Sequence, residues 1–95
     1  MELKYRPKFR RDILRLQGKS EVNEKIYAII RQIKSAHSIS EIPSHKPLDE
    51  YKMRYRIKIK LSEKEDYRMG FILKGNTFWA ERILPRTDFY KFYKR

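Results

Sequence analysis

The pattern of apolar and polar positions along the chain changes period near its middle. In the first half the period is helical. Leu3 to Tyr5 reads as a short strand ended by Pro7, which suits the first turn of a helix because its missing N–H has no partner to lose there. Phe9, Ile13 and Leu16 then recur at helical spacing until Gly18 supplies a stop. Ser20 is placed to cap a second helix in which Val22, Ile26, Ile29, Ile30 and Ile33 fall at i, i+4, i+7, i+8 and i+11. Two helices joined across Gly18 and Lys19 form an antiparallel hairpin, and its isoleucine stripe needs an apolar surface to cover. Residues 37–50 show no period and read as a connection over the surface.

In the second half the period is two. Met53, Tyr55, Ile57, Ile59 and Leu61 alternate with Arg54, Arg56, Lys58 and Lys60, so a strand here turns one apolar face to the helices and four cations the other way. Tyr67, Met69, Phe71 and Leu73 repeat the device, with Arg68 opposite them. Lys74-Gly75-Asn76-Thr77 reads as a hairpin turn, and a third strand runs from Phe78 to about Leu84, where Pro85 ends it. Thr87 or Asp88 can cap a last short helix that puts Phe89, Phe92 and Tyr93 on one face and turns Tyr90 away. The sum is an α+β fold in a single domain over residues 1–95. An N-terminal short strand and a helical hairpin pack on a mainly antiparallel four-stranded sheet, and a short C-terminal helix follows. Helices cover one face of the sheet and the other is basic. Ile26, Ile29, Ile30, Ile33, Ile57, Ile59, Phe71 and Leu73 are expected to be largely buried.

Composition narrows the chemistry. Ninety-five residues suit one core. The chain has no cysteine, which removes disulfides, thiolate metal sites and cysteine nucleophiles, and two histidines build no metal site without carboxylate help. No metal or cofactor is expected. The longest apolar runs are about five residues and the N-terminus lacks a signal peptide's apolar stretch, so the expectation is a soluble cytoplasmic protein with no membrane partner. The net charge of +12 favours a polyanionic partner, and the excess lies mostly in the half that reads as sheet rather than on an amphipathic helix. Cations spaced i, i+2 along a strand repel one another, a cost offset when a phosphate backbone lies across them. Arg68 adds a fifth cation, and Tyr90 or Trp79 could stack on a base, although Trp79 reads first as packing.

Lys46-Pro47-Leu48, the strand Tyr55-Arg56-Ile57-Lys58-Ile59, then Tyr67-Arg68-Met69 and Arg86-Thr87-Asp88-Phe89-Tyr90 together resemble the RelE/ParE superfamily of toxins from bacterial and archaeal toxin–antitoxin pairs. The resemblance runs over nearly the whole chain and includes the order of elements. It is nearest to the RelE-like branch and implies a ribosome-dependent, metal-independent endoribonuclease that cuts mRNA by attack of the 2′-hydroxyl. By matched position, Lys58 would take the proton, Arg56 and Arg68 would stabilise the phosphorane, Arg86 would serve the departing 5′-oxygen, and Tyr90 would stack on or orient the substrate. Arg54, Lys60, Arg82 and Lys46 would contact RNA. A lysine works as a base where neighbouring cations disfavour its charged form, and Arg56, Arg68 and Lys60 supply them. Guanidinium groups suit the charge growing on phosphate oxygens.

The match departs from the best-characterised branch at one role. That branch carries its acid-role arginine six residues before the tyrosine, where this chain has Leu84, so Arg86 or Arg82 must substitute. A second branch uses a histidine just before the tyrosine and a glutamate before the Pro-Leu; Phe89 and Lys46 stand there instead, so His37 and His45 read as solvated linker residues. The resemblance further implies a cognate antitoxin in a toxin–antitoxin hetero-oligomer, beside the ribosome and mRNA. Two other readings fit a basic chain of this length. One is a ParE-like inhibitor that binds DNA gyrase without cutting RNA, and the other is a non-catalytic nucleic-acid-binding module.

Overall fold

The computed structural model describes residues 1–48, 53–60 and 65–92. Its elements are β1 (Glu2–Tyr5), α1 (Pro7–Arg15), α2 (Ser20–Ser35), a 3₁₀ turn at Ile39–Glu41, β2 (His45–Pro47), β3 (Arg54–Lys60), β4 (Asp66–Lys74), β5 (Thr77–Pro85) and α3 (Arg86–Phe92). They form an α+β fold around one five-stranded sheet of order β1-β5-β4-β3-β2. The pairing is antiparallel except between β1 and β5.

The fifth strand, β2, lies in the stretch expected to be a surface connection. Its three residues are too few to show a period, and its Pro47 is tolerated because β2 is an edge strand. His45 is therefore no solvated linker residue. It is half-buried, with its Nδ1 2.6 Å from the Ile42 carbonyl, whereas His37 is exposed.

Alternation on β3 and β4 places Tyr55, Ile57, Ile59, Tyr67, Met69 and Phe71 in the core, against Phe9, Val22, Ile26 and Ile33 of the helices. Ile57 and Ile59 are at most 2% exposed, which fixes the register, since a one-residue slip would exchange the two faces. Met53 lies outside β3 and is exposed, and Leu61 and Tyr93 lie outside the described residues. Ile29, Ile30 and Leu73 are half-buried rather than buried. The isoleucine stripe is wider than the surface it covers. Ile30 opens with Ile13, Leu14 and Tyr27 onto an apolar groove of about 440 Å³ between α1 and α2.

Helix α1 opens with Pro7 at its start and α2 begins at Ser20, whose side chain makes no cap. The turn between them is tied by Asn23, whose amide donates to the Leu16 carbonyl at 2.8 Å. Between β4 and β5, Gly75 takes a positive φ of 58°, which a two-residue hairpin turn requires and glycine adopts without strain.

Two features of the β5 region depart from expectation and shape the basic face. A bulge breaks the register between Gly70 and Phe71: Gly70 pairs Arg82 and Phe71 pairs Ala80, so Glu81 is the extra residue. Strict alternation after Phe78 and Ala80 would have turned Arg82 inward. With the bulge, Ile83 enters the core and Arg82 points to the other face. The second feature is α3, which packs on β4 and β5 from the basic side. Its Phe89 is fully buried outside the main core cluster, so helices stand on both faces of the sheet. The helix starts at Arg86, directly after Pro85, and Thr87 and Asp88 lie within its first turn rather than capping it.

Candidate active site

Cross-strand register assembles the site. Lys58 stands opposite Arg68, and Arg56 stands opposite Lys46 on one side and Gly70 on the other. Gly70 in turn faces Arg82, so the row from β2 to β5 reads Lys46, Arg56, Gly70, Arg82 with no side chain at its third place. Directly opposed residues share a face of the sheet, which brings Lys46, Arg56, Lys58 and Arg68 together on the side that α3 covers.

Arg56 and Arg68 are buried, at 9% and 4% exposure, and each is held by a backbone or carboxylate partner. Arg56 donates to the Ser44 carbonyl at 3.1 Å. Ser44 reaches that position through a positive φ of 61°, a conformation rare outside glycine and a local cost concentrated beside the site. Arg68 is ion-paired to Asp66 and also donates to the Tyr67 carbonyl. The cationic row thus has an acidic neighbour after all, contributed by the adjacent strand, where Asp66 also faces Lys60.

Tyr90 rests on this pair. Its phenol hydrogen-bonds both Arg68 and Arg56. Burial pushes the phenol's pKa up, but those bonds and the two positive charges outweigh burial and hold it below the usual tyrosine value. Because the folded pKa is depressed, the tyrosinate's contribution to stability is fully present above the ordinary tyrosine pKa and is lost as pH falls through the depressed one. Tyr90 as a residue is 40% exposed, with the Arg86 guanidinium over its ring at 6.0 Å. Tyr90 is therefore anchored at its hydroxyl and open at its face.

Lys58, Lys46 and Arg86 are exposed around this centre. Arg82 is not part of it. Its Nε and a terminal nitrogen donate to both oxygens of Asp12 on α1, at 2.8 and 3.0 Å, and the Phe92 ring covers its guanidinium. Of the two candidates for the acid role, only Arg86 lies against Tyr90. Arg54 and Lys60 sit at the two ends of β3 on the same face, flanking Arg56 and Lys58.

Sequence reasoning missed Ser44, Asp66 and Asp12, the groups that fix the three arginines. Asp66 carried a usable signal, because it precedes Arg68 by two on the strand and so shares its face. Asp12 carried one too, at i+3 from Phe9 on the apolar stripe of α1. Ser44 carried none.

No family model matches the sequence, and none of the curated proteins matches it either. Solved structures do. A chain of the RelB–RelE antitoxin–toxin complex from Methanococcus jannaschii superimposes with a TM-score of 0.72 at 21% identity, over 95% of this chain and 98% of that one. The fold is RelE-like. YafQ from E. coli strain BL21(DE3) shares it at a TM-score of 0.67 and 13% identity, covering 94% of this chain and 97% of its own. So does the conserved hypothetical protein HP0894 from Helicobacter pylori, at 0.58 and 14%, over 92% and 96%. Within this RelE-like frame, none of the described helices is long and apolar enough to cross a membrane.

Proposed function

We propose that the protein is the toxin of a type II toxin–antitoxin pair and acts as a ribosome-dependent endoribonuclease on mRNA. The observation that carries this reading is the convergence on one sheet face of Lys58, the Arg56 and Arg68 pair, and a tyrosine whose hydroxyl both arginines hold. The RelE-like fold and the RelB–RelE complex among its structural neighbours support it.

In this mechanism Lys58 takes the proton from the 2′-hydroxyl, whose oxygen forms a bond to the adjacent phosphorus. Charge grows on the equatorial oxygens, and Arg56 and Arg68 stabilise it. The bond from phosphorus to the 5′-oxygen then breaks. Arg86 offsets the negative charge on that oxygen as it leaves and the oxygen takes its proton from solvent water, Tyr90 offers its open face to a base, and a 2′,3′-cyclic phosphate and a 5′-hydroxyl result. Lys46 and Lys60 add phosphate contacts around the centre. Incubation with translating ribosomes should yield new RNA ends within the message, and a message with hydrogen in place of the attacking 2′-hydroxyl should bind and stay intact. Cleavage of that deoxy-substituted message would rule the mechanism out, and binding without cleavage of the ordinary message would leave a non-catalytic nucleic-acid-binding module.

The partner in this reading is an antitoxin that covers the basic face with an extended or helical segment, acidic against the cations or anchored by apolar side chains. A chain that folds on binding can wrap a large surface, and the open groove between α1 and α2 offers its apolar side chains a seat. Co-expression should relieve growth inhibition. A complex whose partner touches none of Arg56, Lys58, Arg68 or Tyr90 would count against this mode of inhibition.

A further inference from the structure

The catalytic constellation does not absorb all of the basic surface. On the far side of α3, a concavity of about 600 Å³ is lined by Arg6, Lys8 and Arg11 at the start of α1, by Arg54 of β3, by Lys74 of β4 and by Arg82 of β5. Its volume lies in the range of ligand pockets. Glu81 is the one carboxylate among its described lining residues, and Asp12 pairs Arg82 of the lining and Arg15 outside it.

The way these cations are held distinguishes the pocket from an ordinary charged surface. Aromatic rings position Arg6 and Lys8 without neutralising them, whereas Arg82 shares its ring with Lys8 but is also paired to Asp12. Arg6 lies over the Trp79 ring at 4.9 Å, beside Lys4 at 5.2 Å, and Lys8 and Arg82 lie over the Phe92 ring at 5.6 and 4.7 Å. A cation fixed by a π face keeps its charge for a third group, whereas one fixed by a carboxylate does not. The backbone reinforces the same sign. The N-terminal end of α1 opens at the pocket with no acidic residue in its first turn and no side-chain cap at Arg6. The positive end of a helix dipole is thus combined with cations that oppose that dipole. The Arg6 Nε is also buried with no hydrogen-bond partner among the described residues. Each feature costs stability alone, and one bound anion offsets them all.

We propose that this pocket is a second phosphate site, gripping the backbone of the RNA strand to one side of the cleavage centre. The assignment of RNA as the ligand rests on the nuclease reading above. Geometry connects the two places. Arg54 and Lys58 lie four residues apart on the same face of β3, about 13 Å along the strand, a span of a few nucleotides. Helix α3 walls both, with Tyr90 turned to the cleavage centre and Phe92 to the pocket. A strand crossing from one to the other would pass along α3.

The test uses single strands that carry 2′-deoxy nucleotides and so cannot be cut, one of about 12 nucleotides and one of about 3, within and below the usual footprint of a single-strand site. The variant Lys8→Gln/Arg11→Gln/Lys74→Gln changes exposed residues outside the cleavage centre, and its melting curve should match the parent's. Affinity for the long strand should fall roughly tenfold, and the slope of log affinity against log salt should drop by about 2, the counterion release of three lost contacts to a single strand. Affinity for the short strand should not change. Equal losses for both lengths would mean a general field rather than a site, and would overturn the proposal. So would an unchanged long-strand affinity, including the case in which only binding to ribosomes weakens, which would assign the pocket to ribosomal RNA. Failure of the parent protein to cut ribosome-bound message, with the length-dependent grip intact, would sink the nuclease reading alone.

Discussion

Lys58→Ala should slow mRNA cleavage by about 10² to 10⁴, the usual loss when a general base is removed. Lys58 is exposed on β3 opposite Arg68, so its removal leaves the core untouched, and ribosome affinity should change little because one cation among many contributes little to binding. Lys58→Arg keeps the charge and should not restore the rate, since a guanidinium does not give up its proton near neutral pH. Tyr90→Phe should fall between the parent and Lys58→Ala. It keeps the open ring face but removes the hydroxyl that holds Arg56 and Arg68 together, so those groups meet the phosphate less well placed. Single-turnover rates on ribosome-bound message decide the matter. Full activity in Lys58→Ala would remove lysine from the mechanism, and an unaltered rate in Tyr90→Phe would reduce Tyr90 to a stacking surface.

Asp12→Ala should destabilise the fold by about 3–5 kcal/mol, the cost of breaking a buried ion pair by removing one partner. The Asp12 side chain is 1% exposed and accepts from the Arg82 guanidinium at both oxygens, with a further bond from the Ile83 backbone N–H at 3.0 Å. The Ile83 bond has a topological cause. Strand β1 pairs β5 only from Thr77 to Ala80, and beyond that point α1 covers the free edge of β5. Removal of the carboxylate orphans a buried N–H and leaves a largely buried guanidinium unpaired. Asp12→Asn keeps an acceptor for Ile83 and should lose less, and Arg82→Met added to Asp12→Ala should recover part of the loss by discarding the unpaired charge. Denaturant midpoints at constant slope measure each step. A loss of under about 1 kcal/mol in Asp12→Ala would show that water replaces the carboxylate at this edge.

The strongest parts of the fold were legible because they follow from short-range geometry. The side-chain period of a strand is two, so the alternation from Tyr55 to Lys60 could place Ile57 and Ile59 in the core only by placing Arg56 and Lys58 together on the other face. The stripe of α2 and the Gly75 turn are local in the same sense. With Arg68 and Tyr90 they made the resemblance visible, and with it the candidate base and its neighbours. The interior of the site was less legible. A period shows that Arg56 and Arg68 leave the core, but not that α3 returns over that face and buries them under Tyr90.

By itself the sequence determined the alternation of β3 and β4, the helical hairpin and the sign of the surface, since each depends on residues a few positions apart. The tertiary structure decided which arginine belongs to the site. Arg82 and Arg86 are equally basic and four residues apart, but the bulge at Glu81 turns Arg82 outward, and Asp12, seventy positions away in the chain, captures it there. Arg86 is left beside Tyr90. A bulge is a register event between two strands, and an ion pair over that separation exists only after α1 has docked on β5, so no local pattern carries either of them.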